Sequence, residues 1–486
     1  MKAVVYMTLI ISLVDCKGGG LNAYNQGITT LFPDYAGVTV PANIAPLNFS
    51  VIPRQKALAS FSCKDYAFDI SSNRNGDFSI SFSKWRKLLD MARGGQIEVS
   101  VSVMKEGVHH VLQTFYIHVA KEPVDPYIVY RLIEPGYALW NKMGIYQRNL
   151  ENWRESSVYE NKMTGYNCVN CHSFCAQNPE KMLFHLRAKH AGTVMIDGDD
   201  IEILQTKTDR TMSALVYPSW HPSDRFVAFS VNKTTQALHP THRVEVFDMA
   251  SDVVVYDVEA HTILTTPFTF SQSNFETFPT FSADGTALYF CSGKACTLPD
   301  DIQDLHYNLC SIAFNAESKT FGHHVDTIYH AATHGKSVSF PRVSPDGKYL
   351  MCTLSSYGTF PIWHKDADLY LIDLSTNEGR YPENVNSEQA DSYHSWSSNS
   401  RWVVFSSRRL DGLYTRPFLV YVDENGETAK PFLLPQKNSA TFYTELTRSY
   451  NIPEFVTGRI KNRAYTIMKK AKDETTHKRV QMKIVN

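Results

Sequence analysis

The sequence carries no excess of charge. Its 48 Lys and Arg are balanced by 49 Asp and Glu, for a formal net charge of −1. A chain without a basic field is not built to hold nucleic acid. Beyond the first residues it has no apolar run approaching the roughly eighteen residues of a membrane-spanning helix. It lacks Gly-x-Ser-x-Gly, and with it the nucleophile elbow of a hydrolase domain. It also lacks Gly-x-Gly-x-x-Gly and the P-loop, which removes two routes to nucleotide binding. Cysteine is sparse, nine in 486 residues, too few for a disulfide framework. What remains is an ordinary soluble composition, 43% hydrophobic and 20% charged, in a chain long enough for two or three domains. Val, Ile, Thr and Ser recur with many aromatics in short alternating runs, which favours strands over helices.

The N-terminus reads as a targeting segment. Lys2 supplies a positive charge, and residues 3–14 are mostly apolar, the size of a signal-peptide core. Leu13-Val14-Asp15-Cys16 resembles a bacterial lipobox, in which the cysteine is lipidated; Asp15 stands where that pattern has a small residue. The expectation is a signal peptide over 1–15 and a lipoprotein tether over 16–40, with Cys16 as the lipidation site. Plain secretory cleavage is the alternative. Either way the chain is exported, and lipidation would make it a periplasmic or outer-membrane-anchored lipoprotein of a Gram-negative bacterium, held to the membrane by its lipid.

Asn167-Cys168-Val169-Asn170-Cys171-His172 contains Cys-x-x-Cys-His, the attachment motif of c-type haem. Two thiols three apart can add to the two vinyl groups of one porphyrin, and the next imidazole can ligate its iron. The motif predicts one covalent haem c per chain, with thioethers at Cys168 and Cys171 and His172 as proximal metal ligand. The distal ligand is expected to be His185, on the adjacent strand of the same hairpin, with Met182 and His190 next in line. Haem attachment outside the cytoplasm agrees with export. The same residues permit zinc, because Cys168-x2-Cys171 and His185-x4-His190 approach Cys2His2 spacing. A Cys168–Cys171 disulfide or a free dithiol is a third use of the pair. Cys291 and Cys310 fall on neighbouring strands, where either a bridge or two buried thiols fits.

Residues 41–122 read as an all-β unit. Period-two runs at 67–70, 78–82, 96–103 and 114–119 are interrupted by one helical stretch at 84–92. An immunoglobulin-like sandwich is the simplest fold of this size. Prolines at 123 and 126 mark a boundary. A connector over 123–166 follows, with a strand at 127–133 and mixed helix and loop from 135 to 160.

From there the chain repeats. Tyr217-Pro218-Ser219-Trp220, Phe278-Pro279-Thr280-Phe281, Phe340-Pro341-Arg342-Val343 and Tyr393-His394-Ser395-Trp396 are copies, their last residues 61, 62 and 53 apart. A tight turn and an apolar strand follow each. One such sheet cannot bury both faces, whereas radially stacked copies can. The expected architecture is all-β: an N-terminal immunoglobulin-like β-sandwich followed by a β-propeller over 167–447. It has about six blades, five evident and one composite, the last made from 127–133 and a segment near 441–446. A C-terminal extension covers 448–486.

Ser282-Ala283-Asp284-Gly285 and Ser344-Pro345-Asp346-Gly347 resemble the repeat of TolB-type propellers; the copies at Trp220 and Trp396 lack the Asp-Gly. The chain also resembles a family of exported TolB-like proteins with Cys-x-x-Cys-His in the first blade, a family labelled for cytochrome c or its biogenesis. Tyr130-Arg131-Leu132-Ile133-Glu134-Pro135 and Ser449-Tyr450-Asn451-Ile452-Pro453-Glu454-Phe455 fit that resemblance. Two functions follow as expectations. One is an electron carrier that meets a redox partner. The other is a non-redox binding or assembly protein of the envelope, in which the cysteines are structural. A propeller scaffold by itself does not choose between them.

Overall fold

The computed structural model describes residues 30–105, 108–134, 142–239 and 243–485. The expected signal segment and Cys16 lie outside the described residues. The chain is all-β. Its body is a set of four-stranded antiparallel sheets, two of them extended by a fifth, parallel strand, in the manner of a β-propeller. The innermost strands, in chain order, are β1 (Val169–Phe174), β2 (Leu215–Trp220), β3 (Asn274–Phe281), β4 (Ser337–Val343), β5 (Asp391–Trp396) and β6 (Ser449–Val456). Each contacts the next, and β6 returns to β1, so the sheets form a closed ring.

Apolar residues cover both faces of each sheet, as burial between two neighbours demands. Met182, Phe184 and Val194 of the first sheet pack toward Val129 and Val456 of the sixth. Leu183, Met195 and Leu204 pack the opposite way, against Val227 and Phe229 of the second. The turns after β3, β4 and β5 are built alike. Ser282 Oγ donates to Asp284 and accepts from the Ala287 amide, with Gly285 at φ +76°. Where Asp-Gly is missing the geometry persists: Ser397 Oγ donates to Asn399 and accepts from the Trp402 amide, with Ser400 at φ 59°.

Closure joins a strand that precedes the repeats to one that follows them, but not with the expected segment. Residues 441–446 fall in or just after the helix Ser439–Glu445; β6 is the closing strand, and it pairs with Tyr127–Ile133. Residues expected as helix and loop form the strands Met143–Asn149 and Glu155–Glu160 of the same sheet. Their polar sequence hides a buried strand, whose polar side chains find hydrogen-bond partners inside the protein. Gln147 donates to the Ile460 carbonyl, and Arg148 to Gln436 and the Pro435 carbonyl. The supposed extension also adds parallel outer strands to the first two sheets, Lys478–Arg479 and Gln481–Ile484.

The N-terminal unit has a five-stranded sheet, a two-stranded sheet and the helix Phe82–Ala92. Ser81 caps the helix by accepting from the Lys84 amide. Trp85, Leu88, Leu89 and Ala92 form its buried face. The strand Ala57–Cys63 was not expected: Ala57, Ala59, Phe61 and Cys63 alternate inward, but small residues mute the pattern. This unit shares one apolar core with Trp402, Val404 and Leu419 of the fifth sheet and Tyr130 and Tyr450 of the sixth. Cys291 and Cys310 are free, and alternation separates them. Cys291 faces the cluster of Leu309 and Leu350, Cys310 that of Phe290 and Phe226.

Candidate functional site

At one point in each inner strand the ladder slips by a residue, forming a bulge. The residue there has positive φ: Cys171 at 53°, Tyr217 at 50°, Phe278 at 49°, Phe340 at 52°, Tyr393 at 51° and Ile452 at 50°. None is glycine, and each is held in a sparsely populated region by the packing around it. Tyr217, Phe278, Phe340 and Tyr393 meet ring to ring in tilted and edge-to-face contacts, with centroids 4.5, 5.7 and 5.2 Å apart. The next position holds His172, Pro218, Pro279, Pro341, His394 and Pro453 in turn. Proline fits where a bulge has interrupted the ladder.

Cys171 and His172 therefore stand where the other inner strands carry an aromatic or aliphatic residue and then proline or histidine. His394 shows what an imidazole does there. Its Nε2 donates to the carbonyl of Met351, on the second strand of the preceding sheet, 2.8 Å away. Val129 holds the matching place for His172. The carbonyls of Val129 and Ile452 are near that ring, yet neither ring nitrogen has a partner of hydrogen-bonding geometry. Trp220 and Trp396 are related in the same way, their indole N–H groups donating to the Ser173 and Arg342 carbonyls of the preceding inner strand.

All the residues expected at a haem are buried. Cys168, Cys171, His172 and His185 are 8%, 4%, 2% and 3% exposed. Burial, aided by Arg131, pushes His172 down to about 3. Burial, with Arg187, does the same to His185. Burial also pushes the Cys168 thiol up. His185 lies across from Asn170 on the adjacent strand, as expected. Its ring, however, faces the second sheet, 6.0 Å from Phe229, with Nδ1 against Thr193 Oγ1 at 2.9 Å. His172 faces the sixth sheet. The two imidazoles are thus on opposite faces of one sheet and cannot ligate one iron from two sides. Met182 is on the His172 face, but within the apolar cluster of Val129, Phe184 and Val456.

The residues as placed do not fit a covalent haem. The motif runs extended through a bulge between packed sheets, and its imidazole is closed in by neighbouring backbone. Cysteine pairs in c-type sites need a free face for the porphyrin. The zinc set is not assembled either: among the described residues no three His, Cys, Asp or Glu side chains gather to hold a metal. Cys168 and Cys171 are free thiols.

A cavity of about 330 Å³ lies instead on the ring axis, just past the bulges, lined by all the inner strands. The position after the Pro or His is Ser173, Ser219, Thr280, Arg342, Ser395 and Glu454. Four hydroxyls and two opposite charges thus meet at one level. Arg342 and Glu454 are the residues that sequence reasoning missed. The signal was present: they break a column of Ser and Thr that becomes visible once the inner strands are aligned. Arg342 lies over Phe340, 4.3 Å from the ring centroid, and Glu454 accepts from the Phe174 amide at 3.3 Å.

No family model matches the sequence, and no curated protein matches it. Solved structures give weak likenesses. An oligogalacturonate lyase in complex with manganese has a TM-score of 0.35 and 11% identity, over 63% of this chain and 73% of that one. An oligogalacturonate lyase from Vibrio parahaemolyticus has a TM-score of 0.32 and 10% identity, over 59% and 85%. A puromycin-hydrolyzing peptidase of Mycobacterium tuberculosis has a TM-score of 0.35 and 12% identity, over 71% and 52%. At these values the functional argument rests on this chain's own residues.

Proposed function

We propose that the chain is an exported binding protein of the cell envelope, built on a six-bladed TolB-like propeller behind an immunoglobulin-like N-terminal module. In this reading the Cys-x-x-Cys-His stretch is a structural part of the first blade, and Cys16 carries the lipid that holds the protein at the membrane. Its partner is an envelope component rather than a redox protein. The observation that carries the reading is positional. Cys171-His172-Ser173-Phe174 occupies the same bulge as Tyr217-Pro218-Ser219-Trp220 and its counterparts, and His394 fills the imidazole position in another blade without any cysteine beside it.

The test is a pyridine haemochrome spectrum of the protein purified from the envelope of a host with haem-attachment machinery. The expected result is no covalent c-type signal, with His172→Pro folding as the wild type does, because proline is the commoner residue at that position. A covalent signal that disappears in Cys168→Ser overturns the reading. One observation favours the second reading, a single-haem electron carrier with Cys168, Cys171 and His172 as its anchors: both ring nitrogens of His172 are buried without a hydrogen bond. That reading requires the bulge and the sheet interface around it to rearrange on attachment.

A further inference from the structure

The axial cavity holds an arginine and a glutamate that feel each other's charge without forming an ion pair. Arg342 and Glu454 project from inner strands on either side of β5, and no ion pair within 4.0 Å joins them. Arg342 uses one of its N–H groups on the Pro341 carbonyl, at 3.3 Å. A guanidinium has five, in a fork suited to a carboxylate. Glu454 accepts one backbone amide. The hydroxyls around them are largely engaged with one another or with backbone. Ser395 donates to the Pro453 carbonyl at 2.9 Å, and Ser219 meets Thr280 at 3.5 Å. The polar capacity left in the cavity is mainly that of Arg342 and Glu454, beside the Ser173 hydroxyl. Desolvating two unpaired opposite charges is costly unless something pairs with both.

We propose that this cavity binds a small zwitterion of dipeptide size, with Arg342 taking its carboxylate and Glu454 its ammonium group. The volume of about 330 Å³ lies at the small end of ligand sites. Trp220, Phe281 and Trp396 supply apolar wall for a side chain between the two charges. Burial pushes the Glu454 carboxyl up to about 7, against the pull of Arg342 and of the Phe174 amide. An ammonium group at that carboxylate offsets the cost of ionising it. A neutral sugar uses neither charge, and a simple anion leaves Glu454 unpaired.

The proposal deepens the binding reading above and rests on it. The probe is L-alanyl-L-alanine, titrated by calorimetry into the full protein, beside its N-acetyl and C-amide forms. The free dipeptide should bind, and each capped form should bind at least roughly tenfold more weakly. Glu454→Gln should bind the free and N-acetyl forms alike; Arg342→Gln should bind the free and amide forms alike. No heat from the dipeptide at millimolar concentration, or binding indifferent to both caps, overturns the proposal. Should a variant fail to fold by circular dichroism, the capped series on the wild-type protein decides alone. The two readings fail separately. A haemochrome sinks the structural role of the cysteines, whereas a silent calorimeter sinks the zwitterion site and leaves that role standing.

Discussion

A buried neutral imidazole makes folding sensitive to acid, and His172 allows the effect to be isolated. Its folded pKa of about 3 lies far below the ordinary value near 6.5. Below pH 6.5 the unfolded chain takes up a proton that the folded chain refuses, so stability is present above the unfolded pKa and lost as pH falls toward 3. Linkage puts the loss between pH 7.5 and pH 5 at about 2 kcal/mol for this one residue. The bulk acid response does not show this directly. Burial raises Asp248, Asp252, Glu276 and Glu454, and these carboxyls take up protons in the folded state with the opposite sign. The readout is therefore a difference. Urea unfolding of the wild type and of His172→Pro is measured at pH 7.5, 6 and 5. The variant should gain on the wild type by about 2 kcal/mol across that range, because proline takes up no proton. A difference that stays flat would show that the ring is solvated and titrates in the folded protein, and would refute the packing argument for the motif.

Two further outcomes follow from side chains held between sheets. Gly285 has φ +76°, and a Cβ there would sit 2.2 Å from His221 Nε2; Gly285→Ala should cost about 2 kcal/mol or more in thermal or urea unfolding, with part of the loss recovered in combination with His221→Ala. Burial, followed by Asp252, raises Glu276 to about 8; its folded pKa exceeds the unfolded one, so stability falls as pH rises toward 8, and Glu276→Gln should flatten that fall by roughly a few kcal/mol between pH 5 and 8.

The ring was legible because its repeat is written in residues that cannot be moved without cost. Pro218, Pro279 and Pro341 mark bulges, and Trp220, Phe281 and Trp396 mark the position three residues beyond the positive φ. Period-two alternation did less well where its contrast was low. The strand Ala57–Cys63 turns small residues inward, and Met143–Asn149 buries Gln147, Arg148 and Asn149, which a polarity scale places outside. In both cases long-range partners decide, and such partners have no local signature. The closing strand was misplaced for a related reason: Ser439–Glu445 and Ser449–Val456 are both short and mixed, and only pairing with Tyr127–Ile133 separates them.

The site was the harder case because a motif and a repeat compete for the same residues. Read alone, Cys168 to His172 points to haem chemistry through spacing. Read in register with Ile452-Pro453-Glu454-Phe455 and Tyr393-His394-Ser395-Trp396, the same residues become one turn of a structural pattern. Spacing along a chain constrains chemistry only if the backbone there is free to form the turn that the chemistry needs. The bulge at Cys171 is fixed by neighbours in two sheets, and it sends His172 and His185 to opposite faces. The alignment that weakens one site also reveals another. Against a column of Ser173, Ser219, Thr280 and Ser395, the two exceptions are Arg342 and Glu454. Residues that follow the repeat account for the fold; those that break it, at a cavity on the axis, are where a ligand has something to hold.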